Sequence, residues 1–392
     1  MDKYISKYGF KLIEDIKEDK LLPDPFMGPG GVRITSPGEW AKHREYLLDM
    51  LDYYLYGPML PTPSSVTGKV ISSEQLYGGA VISEEVELTC DSFSFKIRVQ
   101  RPNKPGRFPA VCHCTISPWG LHLPAEWETL CEYEFVLVTI NVNELAPDER
   151  AMAGPVYTAF PEYKGTSLMA WAWGIMRAND YLLQLDYIDG DKLAAAGCSR
   201  LGKQTLCTAV HDERIKVAGV FSACCGGTAA LRIIGTTEGP TLDPSVCETL
   251  GYMMATFPYW LWRNMLPFGS NRPPYEIGYE YRLPFDMHFA RALLAPRCVF
   301  DSMGTGDNWN NPYGDYGAHL ATKEVYQFLG VPEDNLAYYY RPGGHGLTKD
   351  EYIAFLDFAD YKLRGVKRPG LEKCNKHIFN ADKKAFFNWE RP

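Results

Sequence analysis

Residues 193–203 read Leu-Ala-Ala-Ala-Gly-Cys-Ser-Arg-Leu-Gly-Lys, and this stretch constrains the fold more than any other. It begins as a small apolar run typical of a buried strand, turns at Gly197 and presents Ser199. After Gly202 it continues into residues 204–210, which have the composition of a helix. A serine at such a turn is a nucleophile elbow: the turn exposes the hydroxyl, and the helix N-terminus offers backbone N–H groups to an oxyanion.

The elbow departs from the usual G-x-S-x-G pattern. Arg200 and Leu201 separate Ser199 from Gly202, so the second glycine comes one residue late. A simpler interpretation is a glycine-bounded turn whose serine caps a helix. The rest of the chain has to decide between a nucleophile and a cap.

Strand-like and helix-like segments alternate around the elbow. Residues 81–88 and 93–99 partly alternate apolar with polar residues and predict an antiparallel hairpin at a sheet edge. Residues 166–185, rich in Trp, Ala and Leu, predict a helix ahead of the elbow strand. Four continuous apolar runs have the character of parallel strands covered on both faces: 109–114, 135–140, 217–221 and 297–301. Together these segments predict an α/β fold with a doubly wound, mostly parallel sheet flanked by helices.

Three segments depart from this alternation, and we interpret none of them as a separate domain. Residues 1–60 are predicted to be a helical extension, with a helix that starts at Ser36 as N-cap. Residues 223–285 are irregular and aromatic, and we expect a substrate-binding insert over the sheet. Residues 367–392 predict a surface tail, so residues 1–392 are expected to form one domain.

Composition excludes some classes of partner. The net charge is −8 and no basic run occurs, which argues against nucleic acid and anionic membranes. No stretch approaches the roughly 20 apolar residues of a membrane helix. The sequence does not indicate an oligomeric state.

The eleven cysteines are an odd number, and most lie in or beside apolar runs, as buried thiols in a reducing compartment do. The N-terminus lacks the apolar core of a signal peptide, so we expect a cytoplasmic location, or secretion if a leader has been removed. Cys112-His113-Cys114 has no second paired cluster at ligand-like spacing, so no metal site is predicted.

Residues 197–203, Gly-Cys-Ser-Arg-Leu-Gly-Lys, resemble the G-C-S-R-x-G-K signature of the glucuronoyl esterases (carbohydrate esterase family fifteen, the 4-O-methyl-glucuronoyl methylesterases). Leu-Pro-Asp-Pro at 22–25 is similar to the segment that opens many members, and the resemblance extends to about residue 363. It implies an α/β-hydrolase fold. It also implies a serine esterase, without a cofactor, acting on esters of (4-O-methyl-)glucuronic acid such as those linking glucuronoxylan to lignin alcohols.

A serine nucleophile requires a base, which in α/β-hydrolases is a histidine that follows the acid in the chain. His288, His319, His345 and His377 follow Ser199 with room for an acid. His288 and His319 fall within helical patterns, and we interpret both as structural. His345 lies in a glycine-rich loop after the strand-like residues 336–340, as the family's histidine does, so we predict that it is the base.

The sequence indicates the acid that orients this histidine less directly. Many members of the family carry a glutamate in a segment like E-S-G-x-G-G, but the matching residues 222–227 contain no carboxylate. The ordinary hydrolase position is the loop after the next core strand, where Asp307 aligns with the family's D-x-W-x-x-P pattern. We predict Asp307 as the acid, with Asp301 in reserve. A turn-forming or capping aspartate is the structural alternative for Asp307.

The resemblance also implies roles for four further residues. Arg200 corresponds to the arginine that stabilises the oxyanion through its backbone N–H and its guanidinium. Lys203 and Trp309 are similar to residues that contact the sugar, and Glu238 matches the family's sugar-binding glutamate after a one-residue shift. The loop at 115–122 follows a strand and is predicted to offer a second oxyanion N–H.

The predicted function is therefore hydrolysis of glucuronate esters by Ser199, His345 and Asp307. The substrate would be a small-molecule or oligosaccharide ester. Two alternatives stay open: an acetylxylan or other carbohydrate esterase on the same scaffold, and a catalytically silent carbohydrate-binding homologue. The sequence indicates neither the leaving alcohol nor the chain length of the substrate.

Overall fold

The structure is a computed structural model that describes residues 2–117, 124–269, 278–376 and 378–392. Its strands, in chain order, are β1 (Val66–Leu76), β2 (Val81–Cys90), β3 (Phe93–Pro102), β4 (Phe108–Thr115), β5 (Val136–Asn141), β6 (Ile188–Cys198), β7 (Ile215–Phe221), β8 (Gly235–Thr236), β9 (Gly239–Pro240), β10 (Cys298–Gly304) and β11 (Leu336–Arg341). Nine of these strands form one sheet in the order β1-β2-β3-β5-β4-β6-β7-β10-β11, and β8 pairs with β9 separately.

The strand that leads into Ser199 lies inside the parallel part of this sheet. Strands β5, β4, β6, β7, β10 and β11 run parallel to one another, whereas β1, β2 and β3 are joined by antiparallel pairing. Every residue of β4 is buried, as a strand covered on both faces requires. The predicted doubly wound, mostly parallel sheet is confirmed.

Helices accompany the sheet: α1 (Asp2–Tyr8), α2 (Trp40–Leu51), α3 (Pro155–Ala159), α4 (Ser167–Leu182), α5 (Arg200–His211), α6 (Leu250–Thr256), α7 (Met287–Ala292), α8 (Pro312–Phe328) and α9 (Lys349–Arg364). Helix α4 is buried almost all round, which explains its apolar composition, and the side chain of Thr166 accepts a hydrogen bond from the N–H of Met169 at its start. Within the described residues, no helix has the length and apolar character needed to cross a bilayer.

The edge of the sheet differs from expectation. The predicted hairpin is present as β2 and β3, but β1 pairs outside it and forms the edge. Along its whole length β1 has no buried residue, so its sequence does not alternate apolar with polar residues as a half-buried strand does. Pattern reasoning missed β1 for that reason.

The two ends of the chain pack together. Residues 37–39 form a short turn that leads into α2, and the Glu39 carboxylate accepts a hydrogen bond of 2.9 Å from the N–H of Ser36. At the other end, Trp389 donates from Nε1 to the carbonyl of Leu22 at 2.9 Å, and the Leu22 N–H donates to Phe386. The tail thus covers the segment that precedes α2.

The irregular residues 223–285 contact several parts of the chain near the elbow. The N–H of Glu248 donates to the carbonyl of Trp309, which follows β10, and the N–H of Ser167 donates to the carbonyl of Tyr259. Trp262 donates from its backbone N–H to Leu55, which follows α2. The insert therefore bridges the end of β10, the start of α4 and the N-terminal region.

A partly buried ion pair joins the end of α5 to the residue that follows α2. His211 lies 2.8 Å through Nε2 from Asp52 Oδ1, and its Nδ1 donates to the carbonyl of Cys207 at 2.7 Å. Burial opposes a charge on the imidazole, but the attraction of Asp52 and its hydrogen bond outweigh it, so the pKa of His211 is raised well above its usual value.

This pair predicts a pH-dependent stability. Because the folded pKa of His211 is raised, the stabilisation is fully present below about pH 6.5 and is lost as the pH rises through the folded pKa. We expect Asp52→Asn to lower the free energy of unfolding by about 2 kcal/mol at pH 6 and by less at pH 9. Urea unfolding at both pH values measures this. Asp49→Asn, which breaks a partly exposed pair with Lys7 and a hydrogen bond with Tyr8, is the control, and equal losses in Asp52→Asn at both pH values would contradict the assignment.

Candidate active site

Ser199 occupies a strained turn at the centre of the sheet. Strand β6 ends at Cys198, α5 begins at Arg200, and Ser199 between them has φ 60° and ψ −126°. Its N–H donates to the carbonyl of Phe221 at the end of β7, 2.8 Å away. This conformation is sparsely populated by residues other than glycine and exposes the side chain, as a nucleophile elbow requires.

Two glycines make room for the turn. A Cβ on Gly197 would lie 2.2 Å from the carbonyl oxygen of Leu201, and one on Gly202 would lie 3.0 Å from the carbonyl oxygen of Phe221. The late second glycine therefore packs the first turn of α5 against the end of β7. The departure from G-x-S-x-G moves that close contact by one residue.

The start of α5 supplies donors for an oxyanion. The first N–H groups of an α-helix have no partner within the helix, and they lie at its positive end. The N–H of Arg200 is the first of these after the nucleophile. Of the loop 115–122 that is predicted to offer the second N–H, residues 118–122 lie outside the described residues.

The guanidinium of Arg200 is held from the side. Its Nη1 donates to Asp148 Oδ2 at 2.5 Å, and its plane lies 4.6 Å from the ring centre of Trp260. Trp260 in turn donates from Nε1 to Asp148 Oδ1 at 2.7 Å. Asp148 thus fixes both Arg200 and Trp260. The Arg200 guanidinium, which is predicted to face the oxyanion, therefore has one of its nitrogens bound to a carboxylate.

His345 and Asp307 lie together. His345 Nδ1 is 2.7 Å from Asp307 Oδ2, and Asp307 is almost fully buried while the imidazole is 46% exposed. The bond at Nδ1 leaves Nε2 to accept a proton. No hydrogen bond joins Ser199 to His345 among the described residues, and in hydrolases this contact tightens when substrate binds.

The pairing of two parallel strands brings these residues together. Gly304, at the end of β10, lies opposite Arg341, at the end of β11. Beyond the strands, the N–H of Thr305 donates to the carbonyl of Arg341 at 2.7 Å, and the N–H of Gly306 donates to that of Gly343 at 2.9 Å. The loops that carry Asp307 and His345 are therefore hydrogen-bonded to each other.

A buried arginine holds the histidine loop. Arg341 donates from Nη2 to the carbonyls of Gly344 and Gly346, at 3.1 and 2.5 Å, on either side of His345. Its Nε donates to Glu351 Oε2 at 2.6 Å, and Glu351, in the first turn of α9, is fully buried. Sequence analysis missed this pair, because its members lie ten positions apart in the chain and no motif links them.

The reserve acid has another partner. Asp301 is buried and pairs with Arg291, which also binds Asp315, and its Oδ1 accepts from Thr228 at 3.2 Å. Burial and the neighbouring Asp315 carboxylate raise the pKa of Asp301 despite Arg291. In the described part of the chain, no hydrogen bond joins Asp301 to His345. The pairing of Asp301 with Arg291 in the core explains why an acidic residue is buried at this position.

The other histidines lie elsewhere. His288 is buried with Nε2 2.9 Å from the carbonyl of Pro23, and burial lowers its pKa to about 4. His319 is buried in α8 with its ring edge-on to Tyr338, and His377 lies outside the described residues. His288 and His319 are therefore placed in the core.

The segment that lacks the family's glutamate is tightly packed. Ser222 and Cys224 both have positive φ, 46° and 42°, and Cys224 donates from Sγ to the carbonyl of Trp309 at 3.0 Å.

Cys198 precedes the predicted nucleophile directly in the chain. Burial raises the pKa of its thiol to about 12, so Cys198 is not an alternative nucleophile.

Of the predicted sugar-binding residues, Lys203 and Trp309 are each hydrogen-bonded to Glu248, whereas Glu238 lies elsewhere. Lys203 is buried and donates from Nζ to Glu248 Oε2 at 2.7 Å, and the N–H of Glu248 donates to the carbonyl of Trp309 at 2.9 Å. The Trp309 ring packs edge-on against Tyr252.

Glu238 instead lies exposed between β8 and β9, where its N–H donates to the side chain of Thr236. The glutamate beside the lysine is thus Glu248. It precedes Thr249, the N-cap of α6, and no local motif marks it.

No group of three or more metal-ligating side chains occurs among the residues that the structure describes.

A family model described as glucuronyl esterase, fungi, matches residues 85–330, which is more than half of the chain. The chain belongs to the glucuronoyl esterase family. The resemblance that the sequence indicated is confirmed. As a member of this family, the protein is a carboxylic ester hydrolase.

Individual relatives agree with the family. The chain is 27% identical to a 4-O-methyl-glucuronoyl methylesterase from Thermothelomyces thermophilus, over 92% of this chain and 86% of that protein. A glucuronoyl esterase of carbohydrate esterase family 15 from Caldicellulosiruptor kristjansonii superposes with a TM-score of 0.78 at 25% identity, covering 96% of this chain and 98% of that one. The α/β-hydrolase fold is confirmed.

A third comparison concerns a protein with a bound ligand. A mutant glucuronoyl esterase from Sporotrichum thermophile, in complex with methyl 4-O-methyl-β-D-glucopyranuronate, superposes with a TM-score of 0.73. It is 22% identical and covers 95% of this chain and 94% of that chain. This likeness supports the fold.

The geometry of the histidine loop leads to a test. Arg341→Lys keeps a positive charge but cannot bind Glu351 and two carbonyls together, since an ammonium lacks the planar fork of a guanidinium. We expect kcat for ester hydrolysis to fall about 10- to 100-fold, with a loss of roughly 2 kcal/mol in the free energy of unfolding. Steady-state kinetics and urea unfolding measure both. The exposed Arg282→Lys is the matched control, and unchanged kcat in Arg341→Lys would refute the role.

Proposed function

We propose that the protein hydrolyses esters of (4-O-methyl-)glucuronic acid through Ser199, His345 and Asp307. The observation that carries the proposal is the 2.7 Å bond between His345 Nδ1 and Asp307 Oδ2. It occurs in a chain whose serine lies at φ 60° ahead of a helix N-terminus. Nucleophile, base, orienting acid and oxyanion donors are the parts that acyl transfer requires.

In the proposed reaction, Ser199 Oγ attacks the ester carbonyl while His345 Nε2 takes its proton. Asp307 holds the imidazole through Nδ1 and stabilises the imidazolium. The N–H of Arg200 donates to the oxyanion, aided by its guanidinium, and such preorganised donors each contribute about 3–4 kcal/mol. His345 then gives the proton to the leaving alcohol, and water repeats the sequence on the acyl-enzyme.

The substrate is proposed from the relatives and from the residues beside the elbow. Two of the similar proteins are named for 4-O-methyl-glucuronoyl ester hydrolysis or contain a methyl ester of that sugar. Here Lys203, one helical turn from Ser199, donates to the Glu248 carboxylate, and the backbone N–H of Glu248 donates to the carbonyl of the partly exposed Trp309. A cation, a carboxylate and an aromatic ring are side chains suited to binding sugar hydroxyls and ring faces. We propose the ester between glucuronoxylan and lignin alcohols as the natural substrate class.

The triad is tested by three alanine variants. We expect Ser199→Ala and His345→Ala to lower kcat for methyl 4-O-methyl-glucuronate by about 10⁴-fold or more, and Asp307→Ala by about 10³- to 10⁴-fold. Methanol release measures turnover. Asp301→Asn is the control: it should destabilise the fold while the folded fraction keeps kcat. An Asp301 effect larger than that of Asp307 would move the acid.

The same assay, run with acetylated xylose, tests the substrate class. Faster hydrolysis of the acetyl ester than of the methyl glucuronate would favour an acetyl esterase on this scaffold. Hydrolysis of the glucuronate ester with little acetyl release is the expected result.

The sugar site is tested by a pair of glutamates. We expect Glu248→Gln to raise KM for the glucuronate ester about tenfold, because Lys203 loses its ionic partner and the site loses an acceptor. Hydrolysis of p-nitrophenyl acetate, which carries no sugar, should change little. Glu238→Gln is the matched control. A KM rise in Glu238→Gln with none in Glu248→Gln would reverse the assignment.

A further inference from the structure

A buried amide lies against the carboxylate that holds His345. Asn310 ends the short turn Asn308–Asn310 directly after Asp307, and its N–H donates to the carbonyl of Asp307 at 3.1 Å. The turn folds the Asn310 side chain back towards the aspartate, and that side chain is fully buried. Asn310 occupies an unspecified position of the D-x-W-x-x-P pattern, so the sequence did not mark it.

The contacts of this amide are specific. Asn310 Nδ2 donates to Asp307 Oδ2, the same oxygen that lies 2.7 Å from His345 Nδ1, and it is 3.2 Å from His345 Nδ1 itself. The reverse orientation would place the amide oxygen against the carboxylate, two acceptors facing each other. Asn310 Oδ1 has no hydrogen-bond partner among the described residues, so the carboxylate is what orients the amide.

We propose that Asn310 is a positioning residue for the base. Its amide fixes Asp307 Oδ2 against rotation, so that this oxygen stays aligned with the imidazole N–H. It also takes up part of the negative charge that would otherwise hold a proton on the imidazole. Without the amide, His345 would remain protonated to higher pH and would be less often ready to accept the serine proton.

The other charged and titratable groups near His345 and Asp307 do not account for the proposed effect on the protonation of His345. Arg341 and Glu351 face the histidine loop, but they are bound to each other. The thiols of Cys198, beside the nucleophile, and Cys247, in the insert, have their pKa values raised by burial to about 12 and about 11. Neither thiol ionises below about pH 9.

The experiment compares Asn310→Leu and Asn310→Asp with Asn308→Leu, an exposed asparagine of the same turn. The pH dependence of kcat and KM is measured with p-nitrophenyl acetate and with methyl 4-O-methyl-glucuronate. In Asn310→Leu we expect kcat to fall about 10- to 100-fold with KM within about twofold. The midpoint of the acid limb should rise by about 0.5 pH unit, and by more in Asn310→Asp, which adds a like charge. Asn308→Leu should match the wild type.

A second readout does not depend on turnover. We expect proton NMR of the free enzyme at low pH to show a downfield resonance of the His345 Nδ1–H, which its loss in His345→Ala would identify. We expect it to shift in Asn310→Leu and Asn310→Asp and to stay in place in Asn308→Leu. Asn310→Asp is nearly isosteric, so it keeps the test available if the leucine variant does not fold.

An acid limb and a resonance that are unchanged in both Asn310 variants would overturn the proposal, even if the variants lose stability. The inference rests on the proposed function only through the Ser199 and His345 chemistry. If the wild type hydrolyses p-nitrophenyl acetate and not the glucuronate ester, the substrate proposal fails, and the role of Asn310 is still decided by the acetate profile and the NMR resonance.

Discussion

The backbone of Ser199 is the constraint on which the site depends. A residue other than glycine at φ 60° and ψ −126° costs on the order of 1–3 kcal/mol, and it persists only where the surroundings determine it. Here β6 is paired on both sides, by β4 and β7, and the Ser199 N–H is bound to the end of β7. The packing of the central strands therefore maintains the strained backbone conformation of Ser199. As a result, the turn exposes the serine hydroxyl.

Around this turn, four charged side chains have partners of opposite charge, three of them from distant parts of the chain. The pairs are Arg200 with Asp148, Lys203 with Glu248, Arg341 with Glu351, and His345 with Asp307. Buried or half-buried pairs of this kind contribute little net stability, but losing one member is costly. In the proposed mechanism their value is geometric, because dipoles and charges that are already oriented need not reorganise when an oxyanion forms.

Asp301 and Asp307, the two candidates for the acid that orients the histidine, have different surroundings. Asp301 lies within β10 and points into a buried network with Arg291, whereas Asp307 lies in the loop beyond that strand and meets His345. The alignment with D-x-W-x-x-P favoured Asp307, and the geometry is consistent with that choice. For the predicted sugar-binding glutamate the resemblance pointed to Glu238, which the fold places on an exposed hairpin tip, whereas Glu248 is the glutamate that lies beside Lys203.

The sequence by itself determined the parallel core strands, the elbow with Ser199 and the glycine loop of His345, because each depends on residues adjacent in the chain. Tertiary structure decided the rest. The exposed edge strand β1 has no apolar alternation to reveal it. The contacts of Lys203 with Glu248 and of Asn310 with His345 join residues from separate loops and helices, since strand order and loop closure, not spacing in the sequence, bring them within hydrogen-bonding distance. The pair of Arg341 and Glu351 is closer in sequence, but it too follows no short-range pattern.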